Sequence, residues 1–191
     1  AMHVSTRKKI NEMAYEQEKI NHGHPSGVDN TVCTYGGLLW YQKINAKPVF
    51  KKLKISHLPE FVLINTGKPK ETTKEMIEIV KSKKQKEKIF DEIEKATKLF
   101  LEGNLIKDSI KTCERCLEEL GVVGELAKKV VREIEGLGGS AKISGAGGLT
   151  NGSGMLLCYH KNPQAILELA KKLKLEAFKV ELGGEGVKIE C

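Results

Sequence analysis

The sequence predicts an α+β fold, helices packed against a mostly antiparallel sheet, and three observations carry that expectation. From about residue 58 the patterning runs strand, several helices, strand, helix, strand, strand, an order that layers helices on one sheet. With 191 residues, 40% of them hydrophobic, the chain is long enough for one full domain, or for one domain and part of another. No internal repeat or low-complexity linker interrupts it.

The opening stretch, STRKKINEMAYEQEKI, has Ser5 or Thr6 as a candidate N-cap, and Ile10, Met13, Ala14, Gln17 and Ile20 trace one face at spacings of three and four. It predicts a helix ending in the run His22-Gly23-His24-Pro25-Ser26-Gly27-Val28-Asp29-Asn30. Pro25 fixes its own φ and biases His24 to extended geometry, while Gly23 and Gly27 admit conformations closed to other residues, so the run reads as a rigid loop. TVCTYGGLLWYQKI and KPVFKKLKI are β-rich and broken at Gly36-Gly37, and HLPEFVLINTG holds a buried-strand core over 61–64. KETTKEMIEIVKSKKQKEKIFDEIEKATKLFLEGN, capped at Thr72 or Thr73, and NLIKDSIKTCERCLEELG repeat near 3.6 residues and predict helical hairpins. GELAKKVVREIEGLG is a further helix, followed by a short strand at 141–144, a glycine-rich turn, and a strand at 155–159. Pro163 suits the first turn of the helix NPQAILELAKKL, and AFKVELGGEGVKIEC predicts a terminal β-hairpin around Gly183-Gly184-Glu185-Gly186.

The net charge is +7, but the basic residues are nearly all Lys and are mixed with Glu at helical spacing. That pattern makes solvated helix faces; a nucleic-acid surface would favour Arg with interleaved aromatics. A bound anionic small molecule also suits the charge. Five cysteines, at 33, 113, 116, 158 and 191, form an odd set without a secretion signal and do not resemble a disulfide framework. Cys113 and Cys116 make a CxxC inside a helical segment with no second CxxC or His pair, which reads as core thiols in preference to zinc ligands. No apolar run approaches the roughly 20 residues that span a bilayer, so the chain is expected in the cytoplasm, with neither membrane nor nucleic acid as partner.

Asp29 has the position to serve a substrate hydroxyl as general base or electrostatic positioner; the plain alternative is an Asx turn or a cap. Glu18, on the preceding helix, pairs with it as a second carboxylate able to hold Mg²⁺, or is a solvated helix residue. His22 and His24, two apart, suit positioning better than metal binding. Gly145-Ala146-Gly147-Gly148 offers unobstructed backbone N–H groups to an anion, or lets two chain segments cross closely. It is not a Walker loop, because no GxxxxGK[ST] exists, and not a Rossmann fingerprint, because a strand follows it.

Together these segments resemble the GHMP kinase superfamily, and within it the mevalonate kinase family. EKINHGHPSGVDNTVCTYGG is similar to that family's HGxPSGxDN stretch with its following aromatic-Gly-Gly. INTGKPKETT resembles its next segment, AKISGAGG stands in place of KLTGAGGGG, and VELGGEGVKIE looks like its C-terminal hairpin. The resemblance runs from about Ile10 to Glu190 and implies a GHMP C-terminal domain over 58–191, with a ferredoxin-like sheet, after the last part of an N-terminal α/β domain over 1–57.

The resemblance further implies transfer of the ATP γ-phosphate to the hydroxyl of mevalonate, as in isoprenoid biosynthesis, with ATP and Mg²⁺ as cofactors. Asp29 would be the catalytic base or positioner and Glu18 the Mg²⁺ carboxylate. His22, Gly23, Lys70 and Thr72 would lie at the substrate, and Ser144, Gly145, Ala146, Gly147 and Gly148 at the nucleotide. Two departures accompany it. The glycine run passes into Leu149-Thr150 and recovers glycine only at Gly152 and Gly154, and no counterpart of the family's PxxGLGSSA phosphate loop occurs in the sequence. This chain alone is therefore expected to be inactive, with an N-terminal fragment or second chain completing the site and a homodimer as a further option. The alternatives are another GHMP kinase, such as a phosphomevalonate kinase using Lys68 and Lys70, and a non-catalytic binding module.

Overall fold

A computed structural model describes residues 6–22, 25–45, 47–54, 58–101 and 105–188. By contacts the chain divides into two units, one holding the residues up to Leu58 together with those from Glu181 onward, the other Pro59–Val180.

The first unit contains α1 (Arg7–His22), α2 (Val28–Tyr35) and an antiparallel hairpin of β1 (Leu38–Ile44) and β2 (Lys47–Leu53). Thr6 Oγ1 accepts the Lys9 N–H at 3.4 Å, the N-cap expected for α1, whereas Ser5 lies outside the described residues. The face expected to pack is rotated: Met13 and Ile20 are exposed, and the half-buried residues are Ile10, Asn11, Ala14, Tyr15 and Glu18. The expected loop is also shorter than its motif. Val28–Tyr35 is one helix, where the sequence places Val28–Asn30 in the loop and reads the residues from Thr31 on as strand-like. Local bonds outweigh propensity there. Ser26 Oγ accepts the Val28 N–H at 3.2 Å, Thr31 Oγ1 donates to the Gly27 carbonyl at 2.6 Å, and Asp29 places a carboxylate in the first turn, where the helix dipole favours it.

Among the described residues the second unit is a four-stranded antiparallel sheet in the order β4-β5-β3-β6 with five helices, of which the last three pack directly on its strands and the second pairs with the third. Its strands are β3 (Phe61–Asn65), β4 (Ser140–Ser144), β5 (Met155–Tyr159) and β6 (Ala177–Val180). Its helices are α3 (Thr73–Ser82), α4 (Lys86–Phe100), α5 (Ile106–Leu120), α6 (Glu125–Gly136) and α7 (Pro163–Lys172). Val62, Ile64, Ala141, Ile143, Leu156 and Cys158 alternate onto the sheet face that joins the core with Met76, Ile89, Leu120, Val131, Ile134 and Ile166. Cys113 and Cys116 are buried thiols on α5. The helix starts follow the sequence closely: Thr72 and Glu75 form a reciprocal capping box, and Pro163 occupies the first turn of α7 behind the Asn162 cap. Exposed pairs such as Lys81 with Glu78 and Lys98 with Glu94 account for the charged helix faces.

Among the described residues no strand follows β6, and the end of the expected terminal hairpin, from residue 189 on, lies outside them. β6 pairs with β3, and the chain beyond it returns to the first unit, where the Gly37 N–H donates to Gly184 O at 2.7 Å and the Val187 N–H to Thr34 O at 3.1 Å. Gly183 and Gly186, at φ 97° and 76°, turn this segment out of extended geometry. No described helix is long and apolar enough to cross a membrane.

Candidate functional site

In the first unit the geometry converges on the start of α2. Gly27 precedes the helix in the left-handed region at φ 86°, buried so tightly that a Cβ would stand 2.8 Å from Tyr41 Oη and 3.4 Å from the Tyr15 ring. Tyr41 Oη in turn donates to Ser26 O at 2.8 Å. Asn30 is buried and donates through Nδ2 to Asn11 Oδ1 at 2.7 Å. Since Gly27 abuts Tyr15 while Asn30 reaches Asn11, α2 runs back along α1 from near its C-terminal end. Asp29 is exposed between these fixed neighbours, so its carboxylate faces solvent from a backbone held on either side. Glu18, one turn beyond Tyr15, is half-buried on the face of α1 that meets the start of α2. His22 ends α1; its side chain, and all of Gly23 and His24, lie outside the described residues.

In the second unit the glycine-rich turn is locked to the segment that follows β3. Thr66 Oγ1 donates to Gly154 O at 2.7 Å and accepts the Ser153 N–H at 3.0 Å, and Ser153 Oγ donates to Gly148 O at 2.7 Å. The Gly148 N–H is engaged with Val122 O at 3.0 Å. Ser144, Gly145 and Ala146 are exposed, whereas Gly147 and Gly148 are buried at the base of the turn. The Leu149-Thr150 departure has a partner: the Glu71 carboxylate accepts the Leu149 N–H at 3.0 Å, the Thr150 N–H at 3.2 Å and the Thr150 hydroxyl at 2.5 Å. The Thr150 hydroxyl, first among these donors, holds the Glu71 carboxyl down to about 2. Lys70 is exposed beside this clasp, with its N–H on Thr150 O at 3.2 Å. Thr72 is committed to the α3 cap, since its hydroxyl accepts the Glu75 N–H and donates to Glu75 Oε2.

Glu71 and Glu114 were not singled out by sequence reasoning. Glu71 gives no local signal, because its partners lie 78 and 79 residues away. Glu114 does give one: it stands four residues after Ile110 on the apolar stripe of α5, where a charge is out of pattern. It is fully buried, and burial is the main reason its carboxyl rises from 4.5 to about 7; the Ile143 N–H at 2.9 Å pulls the other way. Between those two pH values the folded chain binds more protons than the unfolded one, so this group makes stability fall as pH rises from about 4.5 to about 7. The full excursion is on the order of 3 kcal/mol. Glu114→Gln is expected to flatten that slope, which urea unfolding near pH 5 and near pH 8 measures directly; an unchanged difference between the two would refute the assignment.

No family model matches the chain. Mevalonate kinase of Gibberella zeae is 30% identical over an alignment covering 94% of this chain and 40% of that protein. Mevalonate kinase of Mus musculus is 29% identical, covering 94% of this chain and 49% of that protein. These likenesses support a C-terminal portion of a GHMP kinase. The chain spans less than half the length of these two curated relatives, and the part it shares with the superfamily is the C-terminal one. Solved structures agree on the fold. Leishmania major mevalonate kinase in complex with R-mevalonate superposes with a TM-score of 0.74 at 23% identity, over 94% of this chain and 60% of that one. The Methanococcus jannaschii mevalonate kinase gives 0.76 at 21% identity, over 92% and 56%. Asp29 and Glu18 lie in one unit, and the turn, Lys70 and Thr72 in the other. Among the described residues no group of three or more His, Cys, Asp or Glu side chains is placed to hold a metal ion.

Proposed function

We propose that this chain supplies the substrate-side carboxylates and the glycine-rich turn of a cytoplasmic, ATP-dependent kinase that phosphorylates the hydroxyl of mevalonate. The observation that carries the reading is Asp29, exposed on the first turn of α2 while Gly27, Asn30 and Thr31 around it are buried and bonded. A carboxylate fixed in this way can hold a substrate hydroxyl in one orientation and accept its proton as the oxygen attacks phosphorus. Ser144, Gly145 and Ala146 are exposed and present main-chain groups to phosphate oxygens, while Gly147 and Gly148 anchor the turn. Mg²⁺ is commonly held by one or two carboxylates together with substrate phosphates, which Glu18 and Asp29 suit without a third protein ligand. When bound, Mg²⁺ and ATP supply the phosphoryl group and neutralise its developing charge.

The test is ADP release with mevalonate or phosphomevalonate as acceptor, from this chain alone and from this chain mixed with the N-terminal portion of a related mevalonate kinase. Turnover of mevalonate only in the mixture is the expected result. Turnover by the chain alone would refute the need for a second piece, preference for phosphomevalonate would reassign the substrate, and silence in both would favour a non-catalytic binding module.

A further inference from the structure

The buried carboxylate of Glu114 has no part in the chemistry above, yet it touches the strand from which the glycine-rich turn springs. β4 is an edge strand, and its free edge is closed at Ile143 by two side chains. Glu114 Oε2 accepts the Ile143 N–H at 2.9 Å, and Lys142 Nζ donates to the Ile143 carbonyl at 2.8 Å. The next residue is Ser144, where the exposed part of the turn begins. Glu114 Oε1 is buried without a hydrogen-bond partner, a costly state for an anion in the core of a helix-sheet interface.

We propose that Glu114 is a positioning residue for the glycine-rich turn, gripping Ile143 in a way that changes when Oε1 takes a proton from solvent, so that the start of the turn answers to pH. The role of the turn in nucleotide binding rests on the reading given under Proposed function; its coupling to Glu114 does not. As an anion, Glu114 makes a charge-assisted bond to the Ile143 N–H and offers Lys142 a counter-charge. Protonated, it makes a neutral, weaker bond, and Lys142 loses that counter-charge. Both changes act on the main chain of one residue, Ile143, directly before Ser144.

The surroundings favour a transition in the physiological range. Burial raises the Glu114 carboxyl to about 7, with Glu118 of α5 adding to the rise and Lys142 of β4 and Arg115 of α5 opposing it. Arg132 of α6 also feels the Glu114 charge, as do Cys113 on α5 and Cys158 on β5. Burial holds the Lys142 ammonium below its ordinary value, against the pull of Cys113 and Glu114. No other carboxylate touches Ile143 among the described hydrogen bonds.

Carboxyl-carbon and amide NMR of the nucleotide-free chain, from about pH 5.5 to about pH 8.5, tests this. The Glu114 carboxyl and the amides of Ile143, Ser144 and Gly145 are expected to titrate together with a midpoint near 7. In Glu114→Gln those three amides should be independent of pH. Amides of Ser144 and Gly145 that stay fixed while the Glu114 carboxyl titrates would overturn the coupling, as would a turn titration that survives in Glu114→Gln. The wild-type comparison stands even if the variant does not fold. Because neither measurement involves nucleotide or substrate, its failure leaves the kinase reading intact, and failure of the kinase assay leaves the coupling intact.

Discussion

Asp29→Asn is expected to lower mevalonate phosphorylation by about 10²–10⁴-fold while leaving the fold in place. The substitution keeps the shape of the side chain and removes the negative charge and the capacity to accept a proton. Apart from the favourable meeting of its charge with the helix dipole, the start of α2 does not rest on the Asp29 carboxylate: it is fixed by Ser26 on Val28, Thr31 on Gly27 and Asn30 on Asn11. Stability should therefore change by less than about 1 kcal/mol, as is usual for an exposed side chain. The assay is the two-component one, with this chain in wild-type and variant form. A drop in kcat at nearly constant KM would mark an interaction made in the transition state, whereas a rise in KM alone would assign Asp29 to ground-state binding. Full retention of turnover would remove Asp29 from the reaction. Asn30→Ala is a useful contrast, because it leaves the carboxylate and loosens its support; its loss of rate should come with a loss of stability.

The sequence carried the second unit well and the first unit less so, for physical reasons visible in single residues. Strands with two-residue alternation and helices with explicit caps, as at Thr72 and Pro163, announce themselves locally. α2 does not. Its Val, Thr and Cys content points to a strand, and only the bonds made by Ser26, Thr31 and Asn30 turn it into a helix. Hydrophobicity alone ranks Met13 and Ile20 on α1 above Asn11 and Tyr15, yet the start of α2 engages the latter pair. In the same way the terminal glycines suggested a hairpin, while the bonds that decide the conformation come from Thr34 and Gly37, far away in sequence. Asp29 stands out as a candidate in the sequence because its motif is contiguous. Glu71 does not stand out, since its meaning depends on Leu149 and Thr150 arriving from the turn between β4 and β5.

Gly152→Ala should destabilise the second unit by at least about 3 kcal/mol, through main-chain collision as well as backbone strain. Gly152 sits at φ 138°, and a Cβ there would lie 2.3 Å from the Thr66 carbonyl oxygen and 2.6 Å from that of Gly67. Neither obstacle is a side chain that can swing aside. Relief requires the 152–154 segment to move off β3, which breaks the pair of bonds between Thr66 and Gly154 and releases the Ser153 N–H from Thr66 Oγ1. Ser153 also carries the Gly148 carbonyl and the Gly124 N–H, so the disturbance reaches the base of the turn and the start of α6. Gly145→Ala separates the two causes. At φ 105° it has comparable conformational strain, but its Cβ would meet nothing within 4 Å, so it should cost only the strain, about 1–2 kcal/mol. Urea unfolding followed by far-ultraviolet circular dichroism compares the two variants with the parent. Equal losses would mean that strain alone decides, whereas a Gly152→Ala loss exceeding that of Gly145→Ala identifies the close crossing of the turn over the end of β3 as the feature that requires glycine.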